Sequence, residues 1–138
     1  MSKATKVGVF LYNGYQELEF WYPVLRLREA GVEVTVIGLE GAEAASSLLG
    51  YPVVPNIALS QTTPDEYAAL VLPGGRLSAL SDNAPLKRFL AEAAAKGAIL
   101  AAASQASSLL PDKNGLVART TDDVPQWTRA LLSALQRS

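Results

Sequence analysis

The chain has 138 residues, 49% hydrophobic and 18% charged, with 12 basic and 13 acidic side chains and a net charge of −1. That is enough apolar material for a single domain over residues 1–138, and the interspersed charges offer no basic surface to nucleic acid or to an anionic membrane. There is no Cys and no His, which excludes a disulfide framework, thiolate metal sites and any chemistry that needs a thiol or an imidazole of this chain.

The segment from Met1 to Val7 leads into a strand without a secretory apolar region, and a cytoplasmic location is expected. Val7 to Tyr12 is an unbroken apolar run ended by Asn13-Gly14, the pattern of a strand buried on both faces of a parallel sheet. A helix is predicted from about Gln16 to Ala30, with Leu18, Trp21, Tyr22 and Leu25 at helical spacing and Gly31 as its stop. Pro23 inside it cannot donate to the Glu19 carbonyl, which predicts a kink there. Val32 to Gly38 is the second strand, completing a βαβ unit. Residues 40–49 are rich in small side chains and ambiguous. Tyr51 to Pro55 reads as a short extended piece that its prolines confine to an edge.

Ala68 to Leu72 is another buried strand, closed by Pro73-Gly74-Gly75. Asp82 or Asn83 can cap a helix with Pro85 in its first turn, running to Lys96 and Gly97. Ala98 to Ala103 is the central strand, and Gln105 to Leu110 a short helix stopped by Pro111. That most apolar stretch is interrupted by Ser104, Gln105, Ser107 and Ser108 and is too short to span a bilayer. Asp112 to Gly115 reads as a tight turn, Leu116 to Arg119 as a last strand. Asp122 or Asp123 caps a final helix through about Gln136, with Pro125 in its first turn. Strands alternate with helices, so the class is α/β: a doubly wound, mainly parallel sheet with helices on both faces.

In such a sheet, ligands bind beyond the carboxyl ends of the strands. Three of those ends stand out: Tyr12-Asn13-Gly14, Pro73-Gly74-Gly75 and Ala103-Ser104-Gln105-Ala106. The last sets a hydroxyl on a strand-to-helix turn between small residues, the setting of a nucleophile elbow. The glycine pair can turn N–H groups toward the same space, as an oxyanion site requires.

These stretches, with Gln16-Glu17-Leu18-Glu19, Tyr22-Pro23, Leu27 to Val36, Gly50 to Val53, Asp65 to Gly75, Asn114 to Val117 and Asp122 to Pro125, resemble the DJ-1/PfpI family of the class I glutamine amidotransferase-like superfamily. The resemblance covers almost the whole chain and rests on the set of motifs together. It implies a flavodoxin-like fold and commonly a homodimer; separately, no cofactor or metal is expected. It also implies a site built from an acidic residue after the first strand, the Gly-Gly backbone, and a Cys on the elbow often followed by His. By position the acid is Glu19, the backbone pair is Gly74-Gly75, the Cys position is Ser104 and the His position is Gln105; Asn13 lines the same end.

Two departures follow. The reactive Cys is Ser104, with no His anywhere, and a serine hydroxyl needs an adjacent base where a thiol carries its own thiolate reserve. The family also usually has more elements between the elbow helix and the final strand, where this chain passes from Leu110 almost directly to Leu116. The loss of thiol, imidazole and wall together leads to the expectation of a catalytically silent, dimeric binding or scaffold protein with a vestigial site for a small anionic or carbonyl ligand. The alternative is a weak hydrolase, lyase or hydratase-type enzyme using Ser104 and Glu19, which requires the two within hydrogen-bond reach. Each candidate also has a plain structural role open to it. Ser104 can fill a tight turn, Glu19 can bond nearby backbone, and Gly74-Gly75 can supply a positive-φ turn. Tyr12, Trp21 and Tyr22 suit packing or a dimer contact, Trp127 suits the core, and Glu17, Arg26, Arg28, Glu29 and Glu33 suit a solvated face.

Overall fold

The apolar runs form one parallel sheet. A computed structural model describes residues 5–39, 41, 43–111 and 115–137. In chain order its elements are β1 (Lys6–Leu11), α1 (Glu17–Glu29), β2 (Glu33–Gly38), β3 (Ala45–Ser46), β4 (Pro52–Val53), β5 (Ile57–Ala58), β6 (Ala69–Leu72), α2 (Ala84–Ala95), β7 (Ile99–Ala103), β8 (Leu116–Ala118) and α3 (Val124–Arg137), with short 3₁₀ turns between them. The main sheet runs β5-β2-β1-β6-β7-β8 and every pairing in it is parallel. Apart from the two-residue edge strand β5, this is the 2-1-3-4-5 order of flavodoxin-like folds. The chain leaves β1 toward β2 and later returns to β1's other side as β6, so the order reverses between β1 and β6. That gap is where an open α/β sheet offers a ligand crevice.

Both faces are covered, which is why β1, β6 and β7 carry no polar alternation. Val7, Val9, Leu11, Val71 and Ala101 pack under α1 and α3. Phe10, Leu70, Leu72, Leu100 and Ala102 pack against α2. α2 buries Leu86, Phe89, Leu90 and Ala93, and its cap is the expected one: the Asn83 side chain accepts from the Leu86 N–H at 2.9 Å. α3 buries Val124, Trp127, Thr128, Leu131, Leu132 and Leu135, a helical stripe. Trp127 is core, as its pattern suggested, with its indole N–H donating to the Leu116 carbonyl at 3.1 Å.

The facing of α1 and the cap of α3 differ from expectation. α1 does not bury the stripe of Leu18, Trp21, Tyr22 and Leu25; it buries Glu19, Phe20, Pro23, Val24 and Leu27. The helix carries two apolar stripes, and periodicity alone cannot choose between them. Pro23 lies inside α1. The piece around Pro52 is short, extended and at an edge, as expected, but of a separate hairpin in which β4 pairs antiparallel with β3; the main-sheet edge belongs to β5. Asp123 turns back from α3 and accepts from the Arg119 N–H at 3.1 Å. The turn foreseen at Asp112 to Gly115 falls largely outside the described residues.

The corrected α1 face has a direct consequence. Leu27→Ala removes a fully buried side chain from the α1–α3 layer and is expected to cost about 2–5 kcal/mol. Arg28→Ala, one residue on and exposed, is expected to cost less than about 0.5 kcal/mol. Urea unfolding of the two variants checks this.

Candidate active site

Glu19 stands in the first turn of α1, where the Gln16 side chain caps the helix by accepting from the Glu19 N–H at 2.8 Å. Its side chain points into the protein and the residue is 1% exposed. Three donors meet it there. The Gly74 N–H gives to Oε1 at 2.8 Å, the Ser104 hydroxyl to Oε2 at 2.7 Å, and the Thr121 hydroxyl to the same Oε2 at 3.2 Å. No described Lys or Arg lies within ion-pair distance of it. Moving a carboxylate out of water costs several kcal/mol. Each hydrogen bond to a charged group returns about 1.5–3 kcal/mol, so three neutral donors are of the right size to hold it.

Each donor comes from the carboxyl end of a different strand. Gly74 follows β6, and only glycine fits: a Cβ there would lie 2.2 Å from Glu19 Oε1. Gly75 has φ +95° and ψ −134°, a region reserved for glycine. The Gly74–Gly75 turn also closes on the β1 turn, through Gln16 N–H to the Gly74 carbonyl at 3.2 Å and Arg76 N–H to the Gly14 carbonyl at 3.0 Å. Ser104 follows β7 with φ +54°, the one described non-glycine residue with positive φ. A left-handed conformation costs an L-residue about 1–2 kcal/mol, and here it aims a partly exposed hydroxyl at a buried carboxylate. This is the elbow that the sequence suggested.

The nominated residues therefore divide. Glu19, Ser104 and Gly74 come together, with Gly75 beside them. Gly74 is corrected as an oxyanion donor, because its N–H is already given to Glu19. The Gly75 N–H takes no part in that bond or in the bridge to β1. Asn13 is exposed and its Oδ1 accepts from the Ser46 N–H at 2.8 Å, tying β1 to the hairpin. Gln105 is exposed, and its carbonyl accepts from the Ser108 hydroxyl at 2.9 Å. Thr121 was missed, since it lies in no motif and becomes a site residue only when β8 is laid beside β7. Among the described residues no group of three acidic, His or Cys side chains is placed to hold a metal ion.

A second feature lies on the outer side of α1. The hairpin loop is fastened there by Glu17, whose Oε2 accepts from the Ser47 hydroxyl and from the Leu49 N–H at 3.0 Å. The Ser47 hydroxyl holds the Glu17 carboxyl below the usual carboxylate range. Glu17 is thus a clamp and not simply part of a solvated face. Beside it an open groove of about 710 Å³ is lined by Trp21, Leu25, Leu49, Tyr51 and Pro52. Trp21 and Tyr51 meet edge to face at 5.9 Å. Leu25 is 57% exposed, Tyr51 58% and Leu49 88%.

The model of the DJ-1/PfpI family matches residues 5–135. The protein dj-1beta of Drosophila melanogaster is 33% identical over 112 residues, 80% of this chain and 59% of that protein. A deglycase of Thermococcus kodakarensis is 39% identical over 71 residues, 51% of this chain and 42% of the deglycase. The chain thus spans about half the length of the curated relatives it matches. The crystal structure of Drosophila DJ-1beta shares the fold with a TM-score of 0.88 at 22% identity, covering 96% of this chain and 91% of that one.

The strain at the elbow can be isolated. Ser104→Ala and Ser104→Gly both lose the hydroxyl bond to Glu19, and only glycine relaxes at φ +54°. Ser104→Gly is expected to be more stable than Ser104→Ala by about 1 kcal/mol, read from paired denaturant melts.

Proposed function

The chain belongs to the DJ-1/PfpI family, and from that membership we propose that it is a slow enzyme of the hydrolase, lyase or hydratase type, adding the Ser104 hydroxyl to small carbonyl compounds with Glu19 as base. The observation that carries this is the 2.7 Å bond from Ser104 Oγ to a buried Glu19 Oε2, made from a strained elbow. A vestigial site has no need to keep a non-glycine residue at positive φ or a carboxylate in the interior, since both cost stability. The names of relatives as deglycases point toward carbonyl chemistry as well.

The chemistry is acid–base exchange within the dyad. As Ser104 Oγ forms a bond to the carbonyl carbon, its proton passes to Glu19 Oε2 and the carbonyl electron pair moves onto oxygen. The Gly75 N–H and the Gln105 N–H, from the residue after the nucleophile, are the donors left for that oxygen. Glu19 then returns the proton to that oxygen, giving a hemiacetal; a water next bonds to the same carbon as the Ser104 Oγ–C bond breaks, its proton passes through Glu19 back to Ser104 Oγ, and the hydrated carbonyl compound leaves. Gly74 and Thr121 keep the carboxylate oriented without reacting. A serine hydroxyl lacks the thiolate fraction of a cysteine, so turnover is slow.

One surface observation adds a second role. Leu25, Leu49 and Tyr51 expose an apolar patch around the α1–hairpin groove, and such patches mark interaction sites. The occupant we propose is a second copy of this chain.

Both readings have tests. Hydration of acetaldehyde, followed by the loss of its carbonyl absorbance, is expected to be accelerated weakly but clearly, and the acceleration to fall about 100-fold in both Ser104→Ala and Glu19→Gln. Undiminished turnover in Ser104→Ala would remove Ser104 from the mechanism. Sedimentation equilibrium at micromolar concentration is expected to show a dimer that Leu49→Asp converts to monomer.

A further inference from the structure

We propose that Thr121 is a specificity-determining residue, and that the substrate class of this site is a short, neutral α-hydroxy carbonyl compound in preference to an α-oxo acid. The inference rests on the reading of Ser104 as nucleophile and goes beyond it by naming what lies next to the carbonyl.

The argument is one of proton direction. Glu19 Oε2 accepts from two hydroxyls, Ser104 Oγ at 2.7 Å and Thr121 Oγ1 at 3.2 Å. A carboxylate only accepts, and a hydroxyl has one proton. With both protons directed inward, Ser104 Oγ and Thr121 Oγ1 can offer a ligand only lone pairs. Both residues are partly exposed while Glu19 is 1% exposed, so the open side of the dyad is the side of the two hydroxyls. Ser104 Oγ uses a lone pair to attack the carbonyl carbon. Thr121 Oγ1, hung on the same carboxylate oxygen, accepts a hydrogen bond from whatever stands beside that carbon.

A hydroxyl on the adjacent carbon supplies that bond. A carboxylate there supplies no donor and brings its own charge toward the buried charge of Glu19, which no described cation pairs. A methyl group offers the Thr121 Oγ1 lone pair no donor, though its own proton stays on Glu19. A site built to bond a substrate hydroxyl discriminates strongly against an analogue lacking it, because its own polar group is then left unpaired. The covalent step needs no further reagent. Ser104 Oγ bonds to carbon, its proton travels through Glu19 to the former carbonyl oxygen, and nothing is oxidised or reduced.

The test uses three aldehydes of two carbons, each ¹³C-labelled at the aldehyde: glycolaldehyde, acetaldehyde and glyoxylate. The ¹³C resonance of the hemiacetal formed with the protein gives an adduct constant for each. The aldehydes differ in intrinsic reactivity, so the diagnostic quantity is the change on substitution. Because Thr121 also orients Glu19, the readout is a ratio: Thr121→Val is expected to lower the glycolaldehyde constant about tenfold relative to the acetaldehyde and glyoxylate constants. Thr121→Ser is expected to retain glycolaldehyde selectivity. A uniform fall for all three aldehydes in Thr121→Val, or an unchanged glycolaldehyde constant, overturns the inference and leaves Ser104 as nucleophile. Absence of any Ser104-dependent adduct in the wild-type protein overturns the underlying reading and this inference with it.

Discussion

The buried carboxylate of Glu19 is the constraint around which the carboxyl end of the sheet is arranged. It belongs to α1, yet its partners follow β6, β7 and β8. A charge in the interior has to be met by donors, and here they come from elements far apart in sequence. The folded arrangement therefore specifies which face of α1 turns inward. Phe20, Val24 and Leu27 go into the core with Glu19, and the competing stripe of Leu18, Trp21 and Leu25 is left at the surface. Gly74 is part of the same demand, since any side chain there would occupy the place of the carboxylate oxygen. One polar residue thus fixes a helix rotation, a glycine and a strained serine together.

This explains which parts of the structure were legible in the sequence. Strands β1, β6 and β7 were readable because both their faces are buried and their apolar runs are unbroken, while β2 shows Glu33 and Thr35 alternating with valines before its buried end. The helix ends were readable where the chemistry is local, as at Asn83, whose cap spans three residues. The facing of α1 was not, because a pattern that contains two apolar stripes says nothing about the polar partners that await one of them. The pairing of β5 was hidden by its length of two residues, too few for any period to show.

The site divides along the same line. Ser104 and the glycine pair carried motif signals, because each sits at a strand end with a distinctive neighbourhood, and Glu19, in the first turn of α1, was placed by the family resemblance. Thr121 carried none. Its hydroxyl reaches Glu19 only because β8 lies beside β7 in parallel register, a relation that a single sequence does not express. Asn13 was the opposite case. A polar residue at the topological switch point looked like part of the site, but its side chain fastens the hairpin at Ser46. Position near a crevice does not by itself assign a side chain to it.

The exchange of a thiol for a hydroxyl also changes what the buried acid does. A cysteine beside a carboxylate can lose its proton to solvent and react as a stored thiolate. A serine cannot, and its proton must leave during the reaction to a group already in contact. The 2.7 Å bond supplies that contact, and burial keeps water from competing for the carboxylate. The cost is that Glu19 Oε2 is shared with Thr121. Sharing lessens the hold of the carboxylate on the Ser104 proton, which slows attack. It also locks a second hydroxyl in a known direction next to the nucleophile. Basicity given up at one oxygen becomes orientation at another, and a slow nucleophile gains most from orientation, because positioning lowers a barrier without any change in intrinsic reactivity.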